Sequence, residues 1–389
     1  MATLLLILQI IGGLLILTFL VVIHELGHAI VARRNGVVVE EFGIGIPPRA
    51  WSKKLKNRIV FSLNWLPIGG FVKMQGESDD AHKKGDYGAV SLWAKTKILL
   101  AGVGVNWLAA IIIFTGLALV GFPKVLPGQF HVAGDTITVV QPLQVSFVES
   151  HSPASGAGLK AGDRLVSFNN RAVSDPDQLM ADTKNHKGQM VSLVYRHNGA
   201  TIRKQVHLRQ NPGKDQGVLG VSTSSKTSYR STWSAPIVGV GTTIQFSVVT
   251  LQGLGSLIGN LSHGLSAQLS SSKSARTQGS QQIATAGASV AGPVGLLGVI
   301  FPAAQAAGPV TLLLFVGIIS LTLAVMNALP FPALDGGRLF VTLLFRLFKK
   351  PLSKSLEEKI HGAGFAILVV LILVITVADI FKITSGVYV

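Results

Sequence analysis

Four stretches of the chain are apolar almost without interruption. The first, residues 4–23, carries only Gln9 and Thr18 among clearly polar side chains; at about 1.5 Å of helical rise per residue it covers most of the ~30 Å of a hydrocarbon core. With its continuation it predicts a helix over about 4–32, and further spans are expected near 97–122, 308–330 and 362–383. No Lys or Arg precedes Arg33, so the first run lacks the basic flank of a cleaved signal and reads as a retained span. Between the first two spans, residues 59–63 and 71–74 have strand character and flank Pro67-Ile-Gly69-Gly70. This pattern predicts a hairpin or small sheet within about 37–76, dipping into the membrane beside the first helix.

Residues 138–210 alternate apolar and polar positions in short runs, as a soluble α+β insertion does. Residues 222–230 and 270–280, rich in Ser, Thr and Gln, read as solvated connectors. Residues 235–261 are uncharged and long enough to span, but a crossing there would reverse the direction of the run at 308–330. Their many Gly, Ser and Thr residues also suit an interfacial helix, so they are expected on the outer surface. The pattern therefore predicts a polytopic α-helical membrane protein with four transmembrane helices, a membrane-associated β region and one extracytoplasmic α+β domain. Its parts are an N-terminal membrane part (1–137), the inserted domain (138–221), a linker with interfacial helices (222–307) and a C-terminal membrane part (308–389).

Composition agrees with a membrane protein: mean hydropathy is +0.50, only 13% of residues are charged, and 43 are Gly. Twelve Lys and Arg fall in residues 33–97 and six in residues 338–359, which places both segments on the cytoplasmic side and the N-terminus outside. The net charge of +16 is spread over membrane-flanking loops, without the compact basic motif of a nucleic-acid module. Anionic lipid headgroups are the expected counter-charge and nucleic acid is not an expected partner. With no Cys in the chain, metal ligands are limited to His and carboxylates.

Three ionisable residues, His24, Glu25 and His28, sit near the end of the first apolar run, where a bilayer makes them costly. One helical turn separates the two histidines, so both imidazoles project from one face and can grip one zinc ion, with Glu25 beside them as a base for an attacking water. A third ligand is expected in the third span, which reads Asn327-Ala-Leu-Pro330-Phe-Pro332-Ala-Leu-Asp335-Gly336-Gly337. The first and third spans run in the same direction and both motifs lie towards their C-terminal ends, so Asp335 can meet the histidine pair at similar depth. A bland reading makes Asp335 the cap of a helix beginning near Gly336. A non-proteolytic zinc-bearing scaffold or transporter is the alternative function, and it leaves Glu25 without a task.

The chain resembles the site-2 proteases of the bacterial regulator-of-sigma-E type, intramembrane zinc metalloproteases. The resemblance rests on His24-Glu25-x-x-His28, Gly102-x-x-x-Asn106, the Asn327 to Gly337 stretch, Pro67-Ile-Gly-Gly-Phe-Val-Lys-Met74 and Gly292-Pro-Val-Gly295. It departs at Val103, where the family usually has proline. The resemblance implies zinc held by His24, His28 and Asp335, Glu25 as catalytic base, Asn327 positioning the substrate strand and Asn106 near the active site. A sheet edge at Gly70, Phe71 and Val72 is expected to pair with the unwound substrate. The segment Ser152-Pro153-Ala154 to Leu165 resembles a single PDZ domain, expected to contact extracytoplasmic substrate segments. The function implied is cleavage of transmembrane segments of single-pass proteins, such as anti-sigma factors or signal-peptide remnants, in the bacterial cytoplasmic membrane.

Overall fold

The structure is a computed structural model that describes residues 2–55, 58–213, 216–225, 227–288 and 290–386. Contacts divide it into two units, Met1–Gly116 with Pro236–Val389, and Leu117–Ala235.

The first unit opens with helix α1 (Ala2–Arg34), whose last turn carries Arg33 and Arg34 against the negative end of the helix dipole. Two long strands follow, β1 (Val39–Lys54) and β2 (Val60–Met74), and then helix α2 (Leu92–Val120). Both strands bend, so two elements make a sheet of four segments. Residues 39–44 pair with 70–74 on one side and with 60–63 on the other, and residues 49–54 pair with 60–64. Segment 70–74 is therefore an edge, and it lies along α1. Thr18 Oγ1 donates to Pro67 O at 2.7 Å, and a Cβ built on Gly70 would stand 3.6 Å from Glu25 Cγ.

The second unit holds the strands β3 (Phe122–Pro123), β4 (Ile137–Val140) and β5 (Gln144–Val148), then helix α3 (Pro153–Gly156), β6 (Arg164–Phe168) and β7 (Arg171–Ala172). Helix α4 (Pro176–Asn185), β8 (Met190–His197), β9 (Ala200–His207), β10 (Val221–Ser224) and β11 (Thr227–Arg230) complete it. The main sheet runs β10-β5-β6-β8-β9 with β7 on β6, and β3-β11-β4 form a second, small sheet. Leu143, Leu165, Phe168, Leu193, Tyr195 and Leu208 form its core. Gly162, at φ +95°, makes the turn before Asp163, whose carboxylate accepts from Lys160 N and pairs with His197 Nδ1 at 2.6 Å. The half-buried Asp135 accepts bonds from Ser234 and Thr232, which hold its carboxyl down at about 2. The unit thus extends beyond the expected 138–221. Of the expected connector at 222–230, residues 222–224 lie in β10 and 227–230 in β11, because Ser and Thr side chains tolerate an extended ladder as well as solvent, and residue 226 lies outside the described residues.

The chain re-enters the first unit through α5 (Ala235–Gln268), α6 (Lys273–Ala288) and α7 (Pro293–Gly295), which continues through a π turn at Leu296–Ile300 into α8 (Phe301–Ala306). Helices α9 (Pro309–Ala328), α10 (Asp335–Leu347) and α11 (Lys354–Thr384) end it. Segment 270–280, expected as a connector, largely forms the start of α6. Five described helices, α1, α2, α5, α9 and α11, are long and apolar enough to cross a membrane, where four were expected.

The additional one is α5, which was expected on the outer surface and instead packs along α2. Gly239 abuts Ile111 and Thr115, the Phe114 and Phe246 rings lie 5.6 Å apart, and Trp107 Nε1 donates to Ser247 Oγ at 3.2 Å. The Gly, Ser and Thr content that suggested a surface helix serves this seam. Thr243, Ser247 and Thr250 return their hydroxyls to carbonyls four residues back, so none of these donors is left bare. The direction of α9 is kept by a return: Gln268 bonds to Arg276 O and Ser280, folding α6 back along α5. Gly292 and Gly295 then donate to Asp379 near the end of α11, while Phe301 and Gln305 meet Gly13 and Gln9 near the start of α1. The hairpin leaves and re-enters the same end of the bundle, and α9 keeps its direction parallel to α1.

The α5 seam makes a stability prediction. A Cβ on Gly239 would lie 2.2 Å from Thr115 Oγ1, whereas Gly253 has open space around it. Gly239→Leu is expected to cost about 1–3 kcal/mol by overpacking, and Gly253→Leu to be neutral or slightly stabilising. Thermal unfolding of both variants in one detergent reads the difference, and equal melting temperatures would place α5 away from α2.

Candidate metal centre and active site

His24 and His28 occupy successive turns of α1, both buried, with their Nε2 atoms 3.1 Å apart. Asp335 Oδ2 stands 3.0 Å from His24 Nε2 and 3.2 Å from His28 Nε2. For ligands about 2.0–2.1 Å from a tetrahedral zinc, the edge between ligand atoms is about 3.3 Å. The three atoms thus form nearly the face of such a tetrahedron, leaving the fourth corner open. His28 Nδ1 lies 2.7 Å from Ile98 O, which accepts its hydrogen and leaves Nε2 free to bind. Among the described residues this is the one cluster of three such groups.

Local sequence explains the convergence. A Cβ on Gly102 of α2 would fall 2.5 Å from His28 Nε2 and 2.6 Å from His24 Cε1, and one on Gly27 would fall 2.8 Å from Ala101 O. Only glycines at these positions let α1 and α2 approach with two imidazoles between them. On the opposite wall, α9 ends at Ala328 and the chain turns through Pro330, Pro332 and Ala333 (φ +93°) before α10 begins at Asp335. The glycines after Asp335 press on that turn: a Cβ would lie 2.2 Å from Ala328 O at Gly336 and 1.9 Å from Phe331 O at Gly337. The Asp335 carboxylate faces the imidazoles, and no side chain caps α10, which removes the capping explanation.

Glu25 is half-buried and, with Val21, Asn106, Leu323, Asn327 and Ala333, lines a cavity of about 260 Å³ that includes His24 and Asp335. The neighbouring sheet edge divides the expected substrate residues. Gly70 lies against Glu25, and the backbone N–H of Val72 is directed toward its carboxylate. The Phe71 ring covers Gly43 inside the sheet, where a Cβ would meet it at 2.3 Å, so this side chain does not reach the cavity. Asn106 is fully buried, with Nδ2 3.3 Å from His24 Nδ1.

Two features had no counterpart in the sequence reading. A second cavity, of about 590 Å³, shares Ala333 and Asp335 with the first and is walled by charge, including Lys73, Glu77, Arg338 and Glu357. Around it the fully buried Lys95 pairs with Asp79, Asp79 N donates to Glu357, and Arg338 bonds Glu77 O beneath the Tyr87 ring. Arg338, three residues after Asp335, is the one sequence hint of this network. In the second unit, a groove of about 380 Å³ runs between α4 and edge strand β10, lined by Leu179, Met180, Thr183 and residues 217–223. Its strand is preceded by Gly217-Val-Leu-Gly220, with Gly220 at φ +76°.

Residues 12–371 match Peptidase family M50. The chain belongs to this family. It is 31% identical to a putative zinc metalloprotease of Clostridium perfringens over 95% of its own length and 98% of the relative's. It is 25% identical to the zinc metalloprotease RasP of Geobacillus kaustophilus over 96% and 98% of the two chains. It also aligns with a PDZ domain of the SdrC-like protein of Listeria monocytogenes, at 20% identity over 21% of this chain and 86% of that one, with TM-score 0.19. The protein is accordingly a zinc metalloprotease of the M50 peptidase family, and its apolar helices make it a multi-pass membrane protein.

The geometry predicts one zinc per chain, lost in His24→Ala, His28→Ala and Asp335→Ala. Gly102→Ala is expected to lower zinc affinity by pushing the imidazoles away, while Gly104→Ala, whose Cβ meets nothing, leaves it unchanged. Elemental analysis of purified variants measures both, and full occupancy in Asp335→Ala would remove that residue from the ligand set.

Proposed function

We propose that this M50 peptidase cuts transmembrane segments of single-pass proteins, with His24, His28 and Asp335 holding zinc and Glu25 acting as general base. The observation carrying this reading is the tetrahedral-face spacing of three candidate ligand atoms beside Glu25, two of them on α1, a helix long and apolar enough to be bilayer-embedded. When bound, zinc supplies the Lewis acidity that polarises a scissile carbonyl and acidifies the attacking water. Glu25 accepts that water's proton and returns it to the leaving amine nitrogen. Asn327, on the cavity wall, is placed to donate to the substrate backbone and hold its carbonyl toward the ligands. Burial strengthens each of these interactions by excluding bulk water.

A helical substrate must be unwound before its carbonyls are exposed, and the edge at residues 70–74 supports a mechanism for this. Val72 turns its backbone away from β1, toward Glu25, so alternation along an antiparallel ladder leaves Gly70 facing the same way and commits Phe71 to the sheet. A substrate strand added there exchanges its helical hydrogen bonds for ladder bonds and lies extended over the ligands. The insertion, extracytoplasmic by the positive-inside rule, is PDZ-like. Its groove between α4 and edge strand β10 suits an extended peptide. The basic loops then face the cytoplasm, and substrates include anti-sigma factors or signal-peptide remnants in a bacterial cytoplasmic membrane.

Glu25→Gln is expected to keep zinc and fold but lose cleavage of a model membrane substrate by roughly 10²–10⁴-fold, the usual worth of a general base. Residual activity within tenfold of the parent would reject Glu25 as the base.

Strand addition is tested by disulfide mapping, free of background because the chain has no Cys. In the Glu25→Gln protein, Gly70→Cys and Val72→Cys are expected to cross-link single-cysteine substrates at every second residue. A repeat of three to four would show the substrate still helical at this edge.

A further inference from the structure

Asn106 has an anomaly that the hydrolytic reading leaves unused. Its side chain is fully buried, its Nδ2 is 3.3 Å from His24 Nδ1, and its Oδ1 is buried without a hydrogen-bond partner. On the reading that His24 is a ligand, Nε2 commits its lone pair to the metal, so Nδ1 carries the ring hydrogen and is a donor. An amide N–H facing it would oppose donor to donor. The two ends of a carboxamide have nearly the same shape, and which end is nitrogen is decided by the hydrogen bonds available. Turning the Asn106 amide over places Oδ1 at the position facing Nδ1. One rotation then gives the ring hydrogen an acceptor and the orphaned oxygen a partner.

We propose that Asn106 is a positioning residue for the metal centre: its Oδ1 accepts from His24 Nδ1, fixing the tautomer and ring orientation that present Nε2 to zinc. His28 has the matching arrangement through Ile98 O, at 2.7 Å from its Nδ1. Ile98, Gly102 and Asn106 are spaced four residues apart and so lie along one face of α2. The middle position gives the imidazoles room, and the outer two each accept from one of them. The donor role toward substrate stays with the cavity's other amide, Asn327. The backbone carbonyl of Asn106 is itself fixed by Ser320 Oγ of α9, at 2.9 Å, so the rack is braced from a third helix.

The test is zinc affinity, read by competition with a chromogenic chelator on full-length protein in detergent, using Asn106→Leu, Asn106→Ala and Asn106→Asp. Removing the acceptor is expected to weaken zinc binding by about 10–100-fold in the leucine and alanine variants. The aspartate variant, whose carboxylate can only accept, is expected to bind within a few-fold of the parent. Melting of the zinc-free proteins checks folding, and Asn106→Ala, which adds no atoms, stands in for Asn106→Leu if the larger side chain disturbs packing. Parental affinity in Asn106→Ala overturns the proposal, as does an Asn106→Asp protein no better than Asn106→Ala, because Asn106 would then act by packing or as a donor. His24→Ala is measured alongside. If it keeps zinc, the ligand assignment itself fails, whereas its losing zinc while Asn106→Ala retains it rejects the positioning role alone.

Discussion

Everything in the membrane unit depends on how closely α1 approaches α2. Three ionisable groups taken out of water each cost several kcal/mol unless they answer one another or a metal. They can do so only where backbone lies against backbone. Gly27 meets Ala101 O and Gly102 meets both imidazoles at distances that admit no side chain. At this contact the polar capacity of each histidine is divided in two. One nitrogen faces the shared position with Asp335, and the other faces α2 at Ile98 or Asn106. An added methyl group at Gly102 would break both halves at once.

Asp335 reaches the histidine pair through a different constraint. Pro330 and Pro332 stop α9 and free its last carbonyls, and the chain turns tightly enough that Gly336 and Gly337 pack on Ala328 and Phe331. Gly364 of α11 presses on Pro332 O from outside, holding the turn in place. Beyond it the ion-paired cluster of Asp79, Lys95, Arg338 and Glu357 joins the loop before α2 to α10 and α11. The buried Lys95 and Glu357 there are answered by Asp79, by the Asp79 N–H and by Arg338. The small cavity and the larger one share Ala333 and Asp335, and the sheet edge reaches the small cavity at Glu25.

Much of the site was legible because its parts are local. A helix puts residues four apart on one face, so His24 and His28 could be paired from spacing, and an intramembrane Asp335 demanded a partner. The direction of the spans brought them to one depth. What depends on contacts between distant stretches is not legible in any one of them. Segment 235–261 reads as interfacial by its Ser and Thr content, yet the hydroxyls of Thr243, Ser247 and Thr250 bond their own helix, and α6 supplies the return that keeps α9 parallel to α1. Sequence does not show which way a side chain on the 70–74 edge turns, and the Phe71 ring lies over Gly43.

Hydropathy, basic flanks and the spacing of His24, Glu25 and His28 were enough by themselves to expect a membrane protein with two candidate metal ligands on one helix face, because helical periodicity and the cost of burying charge act over short range. The tertiary structure alone decided which nitrogen faces which partner, which strand is an edge, where α5 packs and why Gly102 is glycine. Those follow from distances between segments far apart in the chain. A one-residue change of register or a 180° amide turn reverses them without altering the hydrophobic pattern at all.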